Sequence, residues 1–93
     1  MITTRQIREK AAELIEERGW AQETLWTEDG RLCLLGAILM AGKLLGDADL
    51  RCASSYSVVS ELCNELGVVG LGAWNDAPKR KVEEVLAALR GKS

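Results

Sequence analysis

The sequence contains no histidine, and this absence excludes a large share of enzyme chemistry. Histidine is the commonest general base, the usual partner of a serine or cysteine nucleophile and the commonest metal ligand. The three cysteines form no CxxC pair, so we expect no zinc site. We also expect no other metal and no cofactor. Their odd number argues against a secreted disulfide scaffold and favours free thiols in a cytoplasmic protein.

Phenylalanine is also absent, and tyrosine and proline occur once each, so the core must be aliphatic. Apolar residues make up 47% of the 93 positions, which is enough for a single domain over residues 1–93 with a modest core. No apolar run reaches the about 20 residues that cross a bilayer, and the N-terminus does not resemble a signal peptide. The net charge of −2 argues against nucleic-acid binding. We therefore expect a cytoplasmic protein without membrane contacts.

Apolar positions that recur every three or four residues predict four helices. They run from about residue 4 to 18, 34 to 45, 55 to 66 and 80 to 90. The second helix is apolar nearly all round, with Lys43 its only charge, so we expect it at the centre of the domain or at a subunit contact. Gly36 and Gly42 lower its stability and indicate that another backbone approaches it closely.

The segment between the first two helices has a different character. Strand-like residues lie on both sides of the turn signal Glu28-Asp29-Gly30. The segment is either a short β-hairpin or an irregular loop held by two buried tryptophans, Trp20 and Trp26. The predicted fold is therefore mainly α: a small four-helix domain around a central apolar helix, with or without one short β-hairpin after helix one.

The stretch GAWNDAPKRK, residues 72–81, places three cations where the last helix is predicted to begin. Cations oppose the helix dipole at an N-terminus. In a structural interpretation, Asp76 caps the helix, Asn75 closes a turn and Trp74 buries its ring. In a functional one, free N–H groups and cations bind a phosphate, a nucleotide or an acidic partner. The candidate residues of that anion site are Trp74, Asn75, Asp76, Lys79, Arg80 and Lys81.

Cys33 is the candidate reactive thiol. If the second helix begins near it, the helix dipole lowers the pKa of the thiol. No base can be named for it, however, and its leucine neighbours favour a core thiol. A thiol-dependent enzyme would need an exposed Cys33 with Asn75 or Asp76 as polar partners. The pair Asp47-x-Asp49 is only a fragment of a calcium loop, so we expect no metal there.

Four short segments taken together carry a family resemblance. They are Arg18-Gly19-Trp20, then DGRLCLLGA at 29–37, AWNDAP at 73–78 and EEVL at 83–86. In this combination the chain, over about residues 10–90, resembles a family of small uncharacterised proteins of actinobacteria and their phages. That family has no assigned activity. The resemblance therefore implies a cytoplasmic protein of an actinobacterium or a phage, and it implies no mechanism.

From these observations we expect a small non-enzymatic binding module. Its partner would be a host protein, a second copy of itself or an anionic, nucleotide-like ligand. The apolar second helix, together with Trp20, Trp26 and Trp74, supplies candidate contact area. A homodimer is expected because three short amphipathic helices do not easily cover so apolar a helix. The alternatives are a thiol-dependent enzyme using Cys33 and a structural subunit of a larger assembly.

Overall fold

The computed structural model describes residues 2–46 and 54–92 of the chain. These residues form five helices and no strand. The helices are α1 (Thr4–Arg18), α2 (Leu34–Leu45), α3 (Ser55–Leu66), α4 (Leu71–Asn75) and α5 (Val82–Leu89). The mainly α fold is therefore confirmed, with one helix more than the sequence predicted.

Local capping explains where the first three helices begin and end. The side chains of Thr3 and Gln6 bond to each other's backbone N–H groups at 3.1 and 2.8 Å, which forms a capping box at the start of α1. Ser54 caps α3 in the same way. Both α2 and α3 end at a glycine in the left-handed conformation, Gly46 and Gly67, where a side chain would be strained. These boundaries depend on neighbouring residues only.

The β-hairpin interpretation of the segment after α1 is wrong. Trp20 and Trp26 form single bridges, one parallel and one antiparallel, and both bridges are to Leu32. The segment therefore curls around Leu32, which is fully buried, and does not run out and back as two paired arms. The irregular loop is what forms, but only Trp20 is half-buried; Trp26 is 53% exposed.

The end of the chain also differs from the prediction. Residues 71–75, which lie outside the four predicted helices, form the short helix α4. A turn closed by the N–H of Arg80 on the carbonyl of Ala77, at 2.9 Å, separates it from α5. The last helix therefore begins at Val82, two residues later than expected. Asp76 lies at the C-terminal end of α4 and does not cap α5.

The core forms where α2 packs against α1, α3 and α4, while α5 packs against α1 and α3. Its largest fully buried apolar side chains are Ile7, Ile15, Leu32, Leu34, Ile38, Val58, Leu62, Val85 and Leu89. Helix α2 is central, as predicted, but it is not covered on all sides. Leu39 and Leu44 on its outer face are exposed.

The close approach predicted at Gly36 is present. A Cβ atom at this position would overlap the carbonyl oxygen of Leu25 and lie 2.9 Å from the carbonyl carbon. That carbonyl accepts a hydrogen bond from the N–H of Cys33 at 3.1 Å. The loop that carries Trp26 is thereby held directly against the first turn of α2.

Arg8 joins three helices from the inside. Its guanidinium uses all five N–H groups: it bonds to the carboxylates of Glu61 and Glu65 on α3 and to the carbonyls of Ala88 and Leu89 on α5, at 2.8–2.9 Å. Because no donor is left over, this buried cation is fully compensated. It fixes the positions of α3 and α5 on α1.

Candidate functional site

Asn75, the last residue of α4, is completely buried, with 0% exposure. Its Oδ1 accepts hydrogen bonds from the indole Nε1 of Trp20 at 2.7 Å and from the backbone N–H of Leu34 at 3.0 Å. Its Nδ2 donates to the carbonyl of Ala21 at 3.1 Å and to the carboxylate of Asp76 at 2.9 Å. The amide therefore has no hydrogen-bonding position left for a ligand.

Asp76 continues the same network toward the surface. Its Oδ1 also accepts the backbone N–H of Glu23 at 2.8 Å. The side-chain amide of Gln22 donates to the carbonyls of Asn75 and Ala77, both at 3.1 Å. Glu23 has a positive φ of 66°, which costs conformational energy in a residue other than glycine. The polar pair predicted as part of a ligand site thus holds the loop after α1 in an unusual shape.

Cys33 caps the N-terminus of α2 and is 5% exposed. Its sulfur accepts the backbone N–H of Gly36 at 3.2 Å. Burial raises the pKa of this thiol, more than the N–H groups of the first turn lower it, and the carboxylate of Asp76 raises it further. The prediction that the helix dipole lowers the pKa of the Cys33 thiol is therefore wrong, because burial outweighs the dipole. An exposed, activated thiol is not present at this position.

Trp74 and Arg80 form a stacked pair. The guanidinium carbon of Arg80 lies 3.9 Å from the centre of the indole ring. The Arg80 Nε donates to the Trp74 carbonyl at 2.9 Å, and its Nη1 donates to Glu84 at 3.0 Å. The ion pair between Arg80 and Glu84 joins residues at i, i+4 spacing, which are neighbours on a helical surface. With 19% of its side chain exposed, Arg80 is committed to contacts within the chain.

The other two cations of GAWNDAPKRK, Lys79 and Lys81, are exposed. Glu84 already supplies negative charge at the start of α5, since its carboxylate accepts the N–H of Lys81 at 2.8 Å. This hydrogen bond and the nearby Arg80 lower the pKa of Glu84. The structure thus brings Arg80 onto Trp74 and Asn75 next to Asp76, and it leaves the two lysines in solvent. Anion binding at this stretch stays a prediction, carried by Lys79 and Lys81.

A groove of about 450 Å³ lies between the end of α1, the loop that carries Trp26 and the outer face of α2. It is lined by Arg18, Trp26, Thr27, Gly30, Leu32, Leu39, Met40 and Lys43, and we call it the Trp26 groove. Among its apolar lining residues, Trp26 is 53% exposed and Leu39 is 39% exposed. Sequence reasoning named Trp26 and the apolar second helix as candidate contact area, but it did not find the groove, because no local pattern brings Arg18 at the end of α1 beside them.

Two cations lie at the Trp26 groove. The Nη1 of Arg18 donates to the sulfur of Met40 at 3.3 Å, so the guanidinium reaches from α1 across to α2. Lys43 is three and four positions from Met40 and Leu39, which places it on the same face of α2. In the described part of the chain, neither cation has a carboxylate within 4.0 Å.

The sequence model of DUF6197, a family of unknown function, matches residues 1–91. The chain belongs to this family. Searches of curated proteins and of solved structures gave no match. Membership in DUF6197 therefore brings no known activity with it, and function has to be argued from the geometry.

A second, more polar cavity of about 930 Å³ lies over Arg8 in this DUF6197 member. Arg90, at its edge, pairs with Glu9 at 3.1 Å and with Glu16 at 2.9 Å. These carboxylates raise the pKa of Arg90, and Arg90 lowers the pKa of Glu16. Because Arg8 and Arg90 are both neutralised by acidic partners, the cavity is lined by a network of ion pairs that joins the helices. Arg5 and Lys92 also line this cavity, and among the described residues neither has a carboxylate within 4.0 Å.

Over residues 2–46 and 54–92 of this DUF6197 chain, no three Cys, Asp or Glu side chains are grouped so that they could hold a metal ion. The Asp47-x-Asp49 pair and Cys52 lie outside the described residues. None of the helices described has both the length and the apolar character that a membrane span requires.

Proposed function

We propose that the protein is a non-enzymatic binding module that recognises a partner protein through the Trp26 groove. The observation that carries this proposal is the half-exposed indole of Trp26, which stands beside the apolar outer face of α2. Tryptophan and arginine are among the residues most enriched at binding hot spots, and a contact of this kind needs an apolar centre with a polar rim. The Trp26 groove offers both.

The chemistry of the other candidate residues supports a role without catalysis. Cys33 is buried and its thiol has a raised pKa, so little thiolate is available near neutral pH. The side-chain amide of Asn75 makes all four of its hydrogen bonds within the chain. Neither residue is in a position to attack or to polarise a substrate, and this counts against the thiol-dependent enzyme.

The biological setting is a further part of the proposal. The resemblance to small proteins of actinobacteria and their phages suggests a cytoplasmic accessory protein with a host protein as its partner. A second copy of the chain is another candidate partner. In that case the exposed face of α2 would lie in a homodimer interface, because Leu39 and Leu44 are both solvent-exposed in the single chain.

The experiment compares three tagged proteins in a cell that expresses the protein naturally: wild type, Trp26→Ala and Tyr56→Ala. Tyr56 is 83% exposed on α3 and does not line the groove, so its truncation is a matched control. Quantitative mass spectrometry of the purified complexes should show a partner that is retained by wild type and Tyr56→Ala. Loss of a hot-spot tryptophan should reduce that partner by about 30-fold or more in Trp26→Ala.

Equal recovery of the partner with Trp26→Ala would refute the proposal. A fourth variant, Lys79→Glu/Lys81→Glu, separates the two surfaces. If this variant loses the partner while Trp26→Ala keeps it, the contact surface is the basic stretch before α5. Arg80 is left unchanged in this variant, since replacing it would break its contacts with Trp74 and Glu84 and disturb the fold.

A further inference from the structure

The Trp26 groove also indicates the chemistry of the segment that it binds. We infer that its partner is an acidic peptide segment with one large apolar side chain as its anchor. The anchor packs against Trp26, Leu39 and Met40, and carboxylates of the peptide face Arg18 and Lys43. This inference rests on the proposed function and deepens it, because it names the class of partner.

The shape of the groove fits an apolar anchor from a passing chain. Its volume of about 450 Å³ lies within the range of about 300–1000 Å³ that is usual for binding sites. Its apolar residues come from two separate elements, the loop at Trp26 and the outer face of α2. A side chain inserted between them contacts an aromatic ring on one side and aliphatic groups on the other.

The charge around the groove fits an acidic partner. The chain as a whole has a net charge of −2, yet among the described residues the lining of the groove contains two cations and no carboxylate. Glu17, Glu28 and Asp29 each adjoin a lining residue in the sequence, but none of the three lines the groove. Asp29 is bound to the Thr27 hydroxyl and to Arg31, and both interactions lower the pKa of its carboxyl. Its charge is thereby partly offset. Complementary charge at an interface selects partners of the opposite sign and speeds association.

The helix dipole explains why Arg18 and Lys43 are positively charged, but it does not explain the direction of the Arg18 side chain. Arg18 and Lys43 each stand in the last turn of a helix, where a positive charge is favourable. That accounts for their sign. It does not account for the direction of Arg18, whose guanidinium lies against Met40 of α2. A cation held over the apolar floor of a groove is placed to meet an anion that enters with an apolar group.

The test is a selection of random 12-residue peptides displayed on their encoding RNA. The library is bound to immobilised wild-type protein and depleted on Trp26→Ala. We expect the enriched peptides to carry one aromatic or large aliphatic residue with Asp or Glu nearby, and to have a net negative charge. Binding of the best peptide should weaken about fivefold in Arg18→Gln/Lys43→Gln, since exposed ion pairs are individually weak. It should also weaken as salt rises.

A matched control is Lys79→Gln/Lys81→Gln, which also removes two positive charges but at exposed positions outside the groove. It should bind the selected peptide as wild type does. Leu39→Ser is a second groove variant with an intact indole, and it should also lose the peptide. The fold of every variant is checked by circular dichroism and thermal unfolding before binding is measured.

Three results would overturn the inference: enriched peptides that are neutral or basic, enriched peptides that bind Trp26→Ala equally well, or no enrichment. Neutral or basic peptides in the groove would leave the proposed binding function standing. If the natural partner is recovered equally with wild type and Trp26→Ala, the proposed function is refuted, even if the groove selects acidic peptides. No enrichment together with a concentration-dependent dimer that Trp26→Ala abolishes would mean that a second copy fills the groove.

Discussion

The indole Nε1 of Trp20 donates a hydrogen bond of 2.7 Å to Oδ1 of Asn75, a residue 55 positions further along the chain. The same oxygen accepts the N–H of Leu34 at the start of α2. One buried amide thus joins the loop after α1, the beginning of α2 and the end of α4. These are three of the segments that carry the family resemblance, and this contact gives them a shared structural role.

The first prediction concerns this amide. Asn75→Ala leaves the indole N–H of Trp20 and the backbone N–H of Leu34 without acceptors in the core. Each buried unsatisfied group costs about 1–3 kcal/mol, so we expect a loss of about 3 kcal/mol in the free energy of unfolding. Urea unfolding followed by circular dichroism measures it. Asn64→Ala, at an exposed position of α3, is the control and should change stability by less than about 0.5 kcal/mol. A similar small effect for both variants would contradict the role given to Asn75.

The second prediction concerns the contact between Gly36 and Leu25. Gly36→Ala forces the Leu25 carbonyl away from α2, and overpacking of this kind costs about 1–3 kcal/mol. Because Trp26 follows Leu25, its fluorescence emission should shift as well. Gly72→Ala is the matched control, since nothing lies within 4 Å of a Cβ there and its φ is not positive. In α4 this change should stabilise the protein by up to about 1 kcal/mol. A Gly36→Ala protein as stable as wild type would show that the backbones do not meet.

The third prediction concerns the reactivity of Cys33. Burial and the raised pKa of its thiol should make alkylation by iodoacetamide slow near pH 7.5 and dependent on unfolding. Cys63, which is half-buried, should react earlier. Peptide mapping by mass spectrometry resolves the two sites. Rapid labelling of Cys33 in the native protein, without added denaturant, would revive the thiol-dependent enzyme.

The pH dependence of Cys33 has a definite sign. Its pKa is raised in the folded state, so the unfolded chain releases the proton first as pH increases. The stability of the protein should therefore fall above the pKa of an unfolded cysteine, about 8.5. Cys33→Ser tests this: its unfolding free energy should vary less between pH 8 and 10 than that of wild type. An unchanged slope would mean that Cys33 does not contribute to it.

The fourth prediction concerns the stability of the protein at low pH. The hydrogen bond from Arg8 lowers the pKa of the Glu65 carboxyl from its reference value of 4.5. The unfolded chain then binds the proton first as pH decreases, and stability should fall from about pH 4.5 downward. In Glu65→Gln, the free energy of unfolding that is lost below about pH 4.5 should be smaller than in wild type by about 0.5 kcal/mol. The amount is small because the carboxylate is partly exposed. Glu28→Gln, at an exposed loop position, is the control and should leave the slope unchanged. Equal slopes in wild type and Glu65→Gln would mean that the Arg8–Glu65 pair does not contribute.

Several elements were predictable because their signals are local. The bounds of α1 and α2 follow from apolar spacing, the Thr3–Gln6 capping box and Gly46, all of which act within one or two helical turns. The Arg80–Glu84 pair follows from i, i+4 spacing alone. Helix α4 was missed because its five residues, LGAWN, include a glycine and are too short to show an apolar stripe.

The roles of the candidate site residues, in contrast, could not be predicted from local signals. The residue types at positions 74–76 are compatible with a ligand site as well as with a structural role, and only the fold shows that Asn75 reaches Trp20 and Leu34. Likewise, no local pattern tells that Trp26 is exposed while Trp20 is half-buried. The indole N–H of Trp20 is bonded to the buried Asn75, which lies 55 positions away in the chain and so leaves no local signal.

Local sequence was thus sufficient for the helical class, the bounds of α1 and α2, and the exclusion of histidine-based chemistry, because composition and near-neighbour contacts carry that information. Tertiary packing decided the shape of the loop after α1, the burial of the Cys33 thiol, the commitment of Asn75 and Arg80 to the fold, and the Trp26 groove. Each of these depends on groups that are far apart in the chain. Their energies come from desolvation and from long-range hydrogen bonds, which exist only once the core has formed.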